Sequence, residues 1–296
     1  MVCGGGAMTL PNGIHYDVPR EDYDRIDRMN WSRLKVLGRS PAHFRHALLN
    51  GREDTNALKL GRVRHIAIYE PERYAASVVV WKDGIRRGKA WDAFRRKHAD
   101  REIITEAEDA AIKAFQVAVR GDETAARYLS GGRAEVTVLW TDRATGIDLK
   151  ARLDFVSSAG AIIDLKSTRL ASPDGFAKEA WRYSYHVQAA IYSEGYEAAS
   201  GGVLPFKFVA AESDAPHVTQ VYGVPEAVLD VGREEFHALL EHYAFCRRES
   251  KWSGYFDGEA ELELPRWAVS FSDEEGIDGL DLVINGADGA EAANDG

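Results

Sequence analysis

Apolar residues recur at three- and four-residue intervals through the first half of the chain, then at intervals of two from about residue 134. From Met29 to Leu49 the helical spacing is carried by Leu34, Leu37, Phe44, Ala47 and Leu48. Asn30 or Ser32 stands where a first helix needs its cap, and Ser40-Pro41 restarts a second one after Gly38. Leu58 to Tyr69 predicts another helix, ended near Glu70-Pro71. Residues 85–130 continue in a helical pattern, with Trp91, Phe94, Ile112, Phe115 and Val119 as inward positions. Residues 1–28 are polar and turn-rich, with no sustained period.

The period then changes. AEVTVLW (134–140) is rich in β-branched and aromatic residues and predicts a strand, TDRATG (141–146) a turn, and IDLKARLDFV (147–156) a second strand. After a turn at 157–160, AIIDLKST (161–168) predicts a third, giving an antiparallel meander. One long helix is expected from about Pro173 to Ala199, with Trp181, Tyr185, Ala189 and Tyr192 among its periodic residues. KFVAAE (207–212) and VTQVYGV (218–224) predict two more strands, and Pro225 to Arg248 a last helix. The pattern is α/β: a helical front end, then strands, helix, strands and helix.

Composition bounds the rest. A chain of 296 residues, 45% hydrophobic and 28% charged, suits one large globular domain with appendages. No run of about eighteen uncharged apolar residues occurs, so no membrane partner is expected. The start lacks a basic segment followed by an apolar one, so it is not a secretory signal and a cytoplasmic location is expected. Residues 1–13 are expected to be a flexible leader, with Met8 as an alternative start, and 14–256 the main domain. Cys3 and Cys246 are too few for a disulfide framework or a four-cysteine iron–sulfur cluster. The net charge of −10 is unevenly spread. Residues 257–296 hold twelve Asp/Glu against one Arg and are expected to form an acidic, disordered tail. The remaining 36 basic and 35 acidic side chains nearly balance, and residues 31–120 hold 19 basic against 11 acidic. A basic region of this kind can neutralise phosphates or simply face water. Arg45, Arg62, Arg64, Arg86, Arg87 and Lys89 are its candidates.

The chemistry concentrates on the second and third strands. Asp164 and Lys166 are two apart and so share a strand face, and a tight turn can bring Asp154 beside Asp164. Two acids and a lysine on otherwise apolar strands are costly to bury uncompensated. A hard divalent cation between the carboxylates resolves the conflict, with the Leu165 carbonyl available as a further ligand. Mg²⁺ suits such oxygen donors, with Mn²⁺ as an alternative. A cation there can activate water against phosphorus, and Lys166 can orient that water or stabilise the developing charge. A D-x-K sequence also occurs as a surface ion pair on exposed hairpins.

LDFV (153–156) followed by IIDLKST (162–168) resembles the D…D-x-K core of PD-(D/E)xK nucleases. YHVQAAIY (185–192) is similar to the Q-x-x-x-Y helix of their RecB-like branch, matched by Gln188 and Tyr192. GRVRHIAIYEPERY (61–74) is similar to the upstream helix that carries a metal-binding histidine, here His65. NWSRLKVLGRSPAHFRHAL (30–48) resembles the opening of the phage RecE-type exonucleases of the exodeoxyribonuclease VIII kind. The resemblance implies an α/β restriction-endonuclease-like core, a central mixed sheet flanked by helices, with a helical N-terminal portion. It implies His65, Asp154, Asp164 and the Leu165 carbonyl as metal ligands and Lys166 as the catalytic lysine. Glu135 would hold a second metal or a water, or else form a strand-end salt bridge. Gln188 and Tyr192 would contact the scissile strand, brace the lysine, or simply line an amphipathic helix. The function implied is a Mg²⁺-dependent exonuclease on double-stranded DNA ends, running 5′ to 3′. The same resemblance implies a homo-oligomer and a single-strand annealing protein as partner, in phage-type recombination. The alternatives are a structure-specific or restriction-like endonuclease, and a DNA-binding module that no longer cuts.

Overall fold

The computed structural model describes residues 8–51, 55–256 and 258–263. The expectations placed on residues 1–7 and 264–296, and so most of the leader and tail, lie outside them. Within residues 8–13, Met8 bridges Ile26, and Leu10 packs against a cluster of Val18, Tyr23, Ile26 and Leu139.

The chain opens with strand β1 (Gly13–His15) and helices α1 (Arg20–Arg25) and α2 (Trp31–Leu34), a 3₁₀ turn, then α3 (Pro41–Asn50) and α4 (Asn56–Tyr69). The expected caps form: Asn30 accepts from the Arg33 amide, and Ser40, before Pro41, from the His43 amide. A short α5 (Tyr74–Ser77), β2 (Val78–Trp81), α6 (Gly88–Lys97), β3 (Glu102–Thr105), α7 (Glu106–Gly121) and α8 (Glu123–Leu129) follow. β2 and β3 form a separate two-stranded parallel sheet inside a region whose pattern reads as helical. Ile112, Phe115 and Val119 are buried as expected, whereas Trp91 and Phe94 are only half-buried around Trp81.

The predicted meander is β4 (Gly132–Thr141), β5 (Asp148–Ser157) and β6 (Ala161–Thr168), all antiparallel. The expected long helix is in fact two, α9 (Pro173–Arg182) and α10 (Tyr185–Ser200), broken at Ser184, which is left-handed with φ 55°. Trp181, expected inward, is 69% exposed, because the break frees α9 from the face that α10 buries. β7 (Phe206–Glu212), β8 (Thr219–Gly223) and α11 (Glu226–Glu249) complete the chain. The sheet runs β1-β4-β5-β6-β7-β8 and is mixed, since β7 lies parallel to β6 after the α9–α10 crossover. One face packs on α10 and α11 and the other on α4, α7 and α8, so the first half of β6 is buried on both sides.

Gly232 fixes the α10–α11 contact: a Cβ there would lie 2.5 Å from the His186 carbonyl oxygen and 2.9 Å from the Ala190 Cβ. Gly232→Ala is expected to cost about 1–3 kcal/mol of stability in urea unfolding. An unchanged midpoint would show that the two helices do not meet so closely.

Candidate active site

The site begins where two strands part. β5 and β6 are in register from Ser157↔Ala161 to Phe155↔Ile163, and pairing stops there. The next residues along the two strands are Asp154 and Asp164, which therefore flank the fork. Lacking a partner in the ladder, the Leu165 N–H donates to Asp154 Oδ2 at 3.2 Å. The alternation of the meander also slips at this point. Leu149, Ala151 and Leu153 belong to the α10 side of the core and Phe155 to the other; Val136 and Ala134 on β4 divide the same way. Between them lies Glu135, with φ 52°, a left-handed conformation that a non-glycine residue seldom adopts inside a strand. The slip turns Glu135 and Asp154 towards the same opening.

That opening is a cleft of 1580 Å³ between the sheet, α4 and the loop before α1, with His65, Asp154, Lys166 and Gln188 on its wall. His65 comes from α4. Its Nε2 lies 3.2 Å from the Leu165 carbonyl oxygen and its Nδ1 3.5 Å from Asp154 Oδ2. Three of the four ligands named from the sequence thus touch one another. The fourth, Asp164, is 1% exposed, and neither of its carboxylate oxygens has a hydrogen-bond partner. Lys166 Nζ lies 2.6 Å from Asp164 Oδ1 as an ion pair, but off the line of a hydrogen bond. The ammonium instead donates to Gln188 Oε1 at 2.8 Å and sits 4.4 Å from the centre of the Tyr185 ring. Gln188 thus braces the lysine, and the Tyr192 hydroxyl adjoins the same amide.

A buried carboxylate with both oxygens unsatisfied is expensive, and a divalent cation would satisfy it. His65, Asp154, Asp164 and the Leu165 carbonyl are the donors that would hold it, a set of mostly oxygen ligands suited to Mg²⁺ or Mn²⁺. Glu135, expected from the sequence as a further acid or in a strand-end salt bridge, lines the cleft and is ion-paired with Arg152, which also donates to the Val18 carbonyl at 2.9 Å. Ser167 lines the cleft, and Thr168 donates to Glu179 and to the Leu170 carbonyl. Of the basic candidates, Arg62 and Arg64 line the cleft, whereas Arg86 pairs with Glu108 on α7.

Burial is the main influence on Asp154; with Asp164 adding to it and His65 opposing, its pKa rises from 3.8 to about 7. Between those values the unfolded chain releases a proton that the folded chain keeps. The metal-free protein therefore loses this part of its stability as pH rises from about 4 to about 7, and holds it fully only below. A cation competes with that proton, so its stabilising effect should grow across the same window. Thermal unfolding with and without excess Mn²⁺, at about pH 5.5 and about pH 8, should give the larger shift at the higher pH. An equal shift at both would contradict the assignment of Asp154.

Three features escape the sequence reading. Tyr69, one turn after His65, is 8% exposed, stacks on Phe155 and leaves its hydroxyl without a partner beside the Leu165 amide. Burial, with Asp154, Asp164 and Glu135 nearby, pushes its pKa well up, so it remains a protonated wall of the acid site. Lys150, on β5, is buried and donates to the Tyr23 and Ile26 carbonyls at 2.8 Å each; burial lowers its pKa to about 8. The alternation of LKARLD puts it on the face opposite Leu149, Ala151 and Leu153, and its partners lie more than a hundred residues away. Finally, Asp142, Glu194 and His237 bring one ligand atom each within 4.8 Å of one another, away from the fork. There His237 Nε2 lies 2.9 Å from Glu194 Oε2, and Asp142 Oδ2 already accepts from the Thr145 amide and hydroxyl.

Comparison with known proteins agrees with this architecture. Residues 30–263 match the family described as "PDDEXK-like domain of unknown function (DUF3799)". A crystal structure from Eubacterium rectale, provisionally named an exonuclease, superposes with a TM-score of 0.59 at 18% identity, over 85% of this chain and 96% of that one. At that identity the likeness is one of fold. An alkaline exonuclease from Laribacter hongkongensis aligns over 61% of this chain and 97% of its own at 14% identity, with a TM-score of 0.25, too low to bear on the comparison. No curated protein matches the sequence.

Proposed function

The chain belongs to the PDDEXK-like domain family, and from that membership and the strand fork we propose that it is a metal-dependent DNA nuclease. The observation that carries the proposal is Asp164, a buried carboxylate with neither oxygen hydrogen-bonded and Lys166 2.6 Å away. Magnesium held by His65, Asp154, Asp164 and the Leu165 carbonyl would supply a Lewis acid and an acidified water. Lys166, held at the mouth of the site by Gln188 and the Tyr185 ring, faces the place where a scissile phosphate would sit. There it can stabilise charge as it develops on the phosphate oxygens. Tyr192 and Gln188 keep the lysine from swinging away. Glu135, on the same cleft wall and ion-paired with Arg152, is the further acid that would position water or a second metal.

The proposal extends to an exonuclease that enters at double-stranded DNA ends and runs 5′ to 3′, in recombination of the phage type. A ring-like homo-oligomer and a single-strand annealing partner complete that picture. The nuclease domain spans residues 14–256. Support for the end-dependent form comes from the RecE-like opening sequence at 30–48 and from the provisional name of the Eubacterium rectale structure. No helix among the described residues is long and apolar enough to cross a membrane.

The test uses matched linear and covalently closed circular duplexes in Mg²⁺, with the linear one labelled at its 5′ or its 3′ ends. Early release of the 5′ label with the circle intact is the expected result. Cutting of the circle would replace the exonuclease with an endonuclease. Failure to cut either, in Mg²⁺ or Mn²⁺, would overturn the nuclease reading.

A further inference from the structure

The break between α9 and α10 has a chemical consequence. In a continuous helix, residues 183 and 185 would point some 200° apart and could not touch. Ser184 takes the left-handed conformation instead, a strain of about 1–2 kcal/mol for a residue with a side chain. The result is that the rings of Tyr183 and Tyr185 stack, with centroids 5.7 Å apart and planes 29° from parallel. Tyr185 in turn lies 4.4 Å from Lys166 Nζ. Tyr183 lines the cleft yet is 42% exposed, and the Arg182 guanidinium stands 5.5 Å from its ring centre. An aromatic contact therefore runs from the lysine of the site to a large exposed ring at the cleft mouth, with a guanidinium lying over it. A flat ring and a guanidinium suit a nucleobase, whose π-face they can cover, and whose 3′ or 5′ phosphate the cation can meet.

Resting on the nuclease reading above, we propose that Tyr183 is a stacking platform for one unpaired nucleobase of the strand whose phosphate lies at Lys166. A base inside a duplex is already stacked on both faces and a terminal pair offers only one, so the ring takes a frayed or single-stranded base most readily. The cleft thus favours DNA whose end has opened, and Tyr183 holds the first freed base in line with the scissile phosphate.

The test measures binding rather than cutting. The full chain carrying Asp164→Asn, which leaves DNA uncut, is titrated into a labelled single-stranded oligonucleotide and followed by fluorescence anisotropy. The same oligonucleotide is then made with one abasic residue, moved position by position. Adding Tyr183→Ala should weaken binding ~10-fold, and Tyr183→Phe, which keeps the ring, should restore it. At one position the abasic residue should cause the same ~10-fold loss, and that loss should vanish once Tyr183 is alanine. Unchanged affinity in Tyr183→Ala, or an abasic loss that persists undiminished in that variant, would overturn the proposal while leaving a cutting wild type as a nuclease. Failure of the wild type both to cut and to bind DNA would remove the nuclease reading and this proposal together.

Discussion

Lys166→Met is expected to abolish DNA cutting and, in the same protein, to weaken the metal-free fold. The side chains of Lys166 and Asp164 are 13% and 1% exposed, and their charged atoms lie 2.6 Å apart. Removing the ammonium leaves a carboxylate buried with no hydrogen bond and no counter-charge. Breaking a buried pair in this way costs about 3–5 kcal/mol, far more than the pair itself contributes. Methionine keeps much of the packing against Tyr185 and Phe208, so the loss reports charge rather than a cavity. Cutting should fall at least ~1,000-fold, because the group that meets developing phosphate charge is gone. Urea unfolding and an oligonucleotide assay measure the two effects. The double variant Asp164→Asn, Lys166→Met should recover most of the stability and none of the activity. Full stability in Lys166→Met alone would mean that Asp164 and Lys166 do not form a buried pair.

Asp164→Asn should show the opposite balance. Its cutting rate should also fall at least ~1,000-fold, since a carboxylate ligand of the cation is lost. Its stability without metal should change by no more than about 1 kcal/mol, because the lysine keeps the Gln188 carbonyl and the Tyr185 ring. Calorimetric titration with Mn²⁺ should show affinity reduced by at least ~10–100-fold. Two variants of one ion pair that both abolish cutting, only one of which destabilises, separate the chemistry of the site from its folding. Equal Mn²⁺ affinity in wild type and Asp164→Asn would remove Asp164 from the ligand set.

Local information made the heart of the site readable. Alternating β-branched residues specified β4, β5 and β6, and the three-residue turn between β5 and β6 brings Asp154 and Asp164 to either side of the fork. What the alternation does not contain is the point at which the strands part. That depends on Glu135 taking a positive φ and on the face switch at Asp154, both imposed by the layers on either side. The salt-bridge partner of Glu135 was hidden because Arg152 is seventeen residues distant, and antiparallel pairing puts the two in contact. The α9–α10 break was hidden for another reason: apolar periodicity runs through Arg182–Tyr185, and serine is not a residue that announces a left-handed turn. Trp181 was consequently assigned to a buried stripe that ends before it. β1 and the β2–β3 pair are three or four residues each, too short to establish a period against helical neighbours. Asp142, Glu194 and His237 come from three distant segments with no spacing in common.

Where the cation sits is decided most directly by soaking a crystal of the full chain in Mn²⁺ and mapping its anomalous scattering. The expected result is a peak at the fork of β5 and β6, ligated by Asp154, Asp164, the Leu165 carbonyl oxygen and His65, and absent in Asp164→Asn. A peak confined to Asp142, Glu194 and His237, with the fork empty, would contradict it and detach Lys166 from any metal-assisted chemistry.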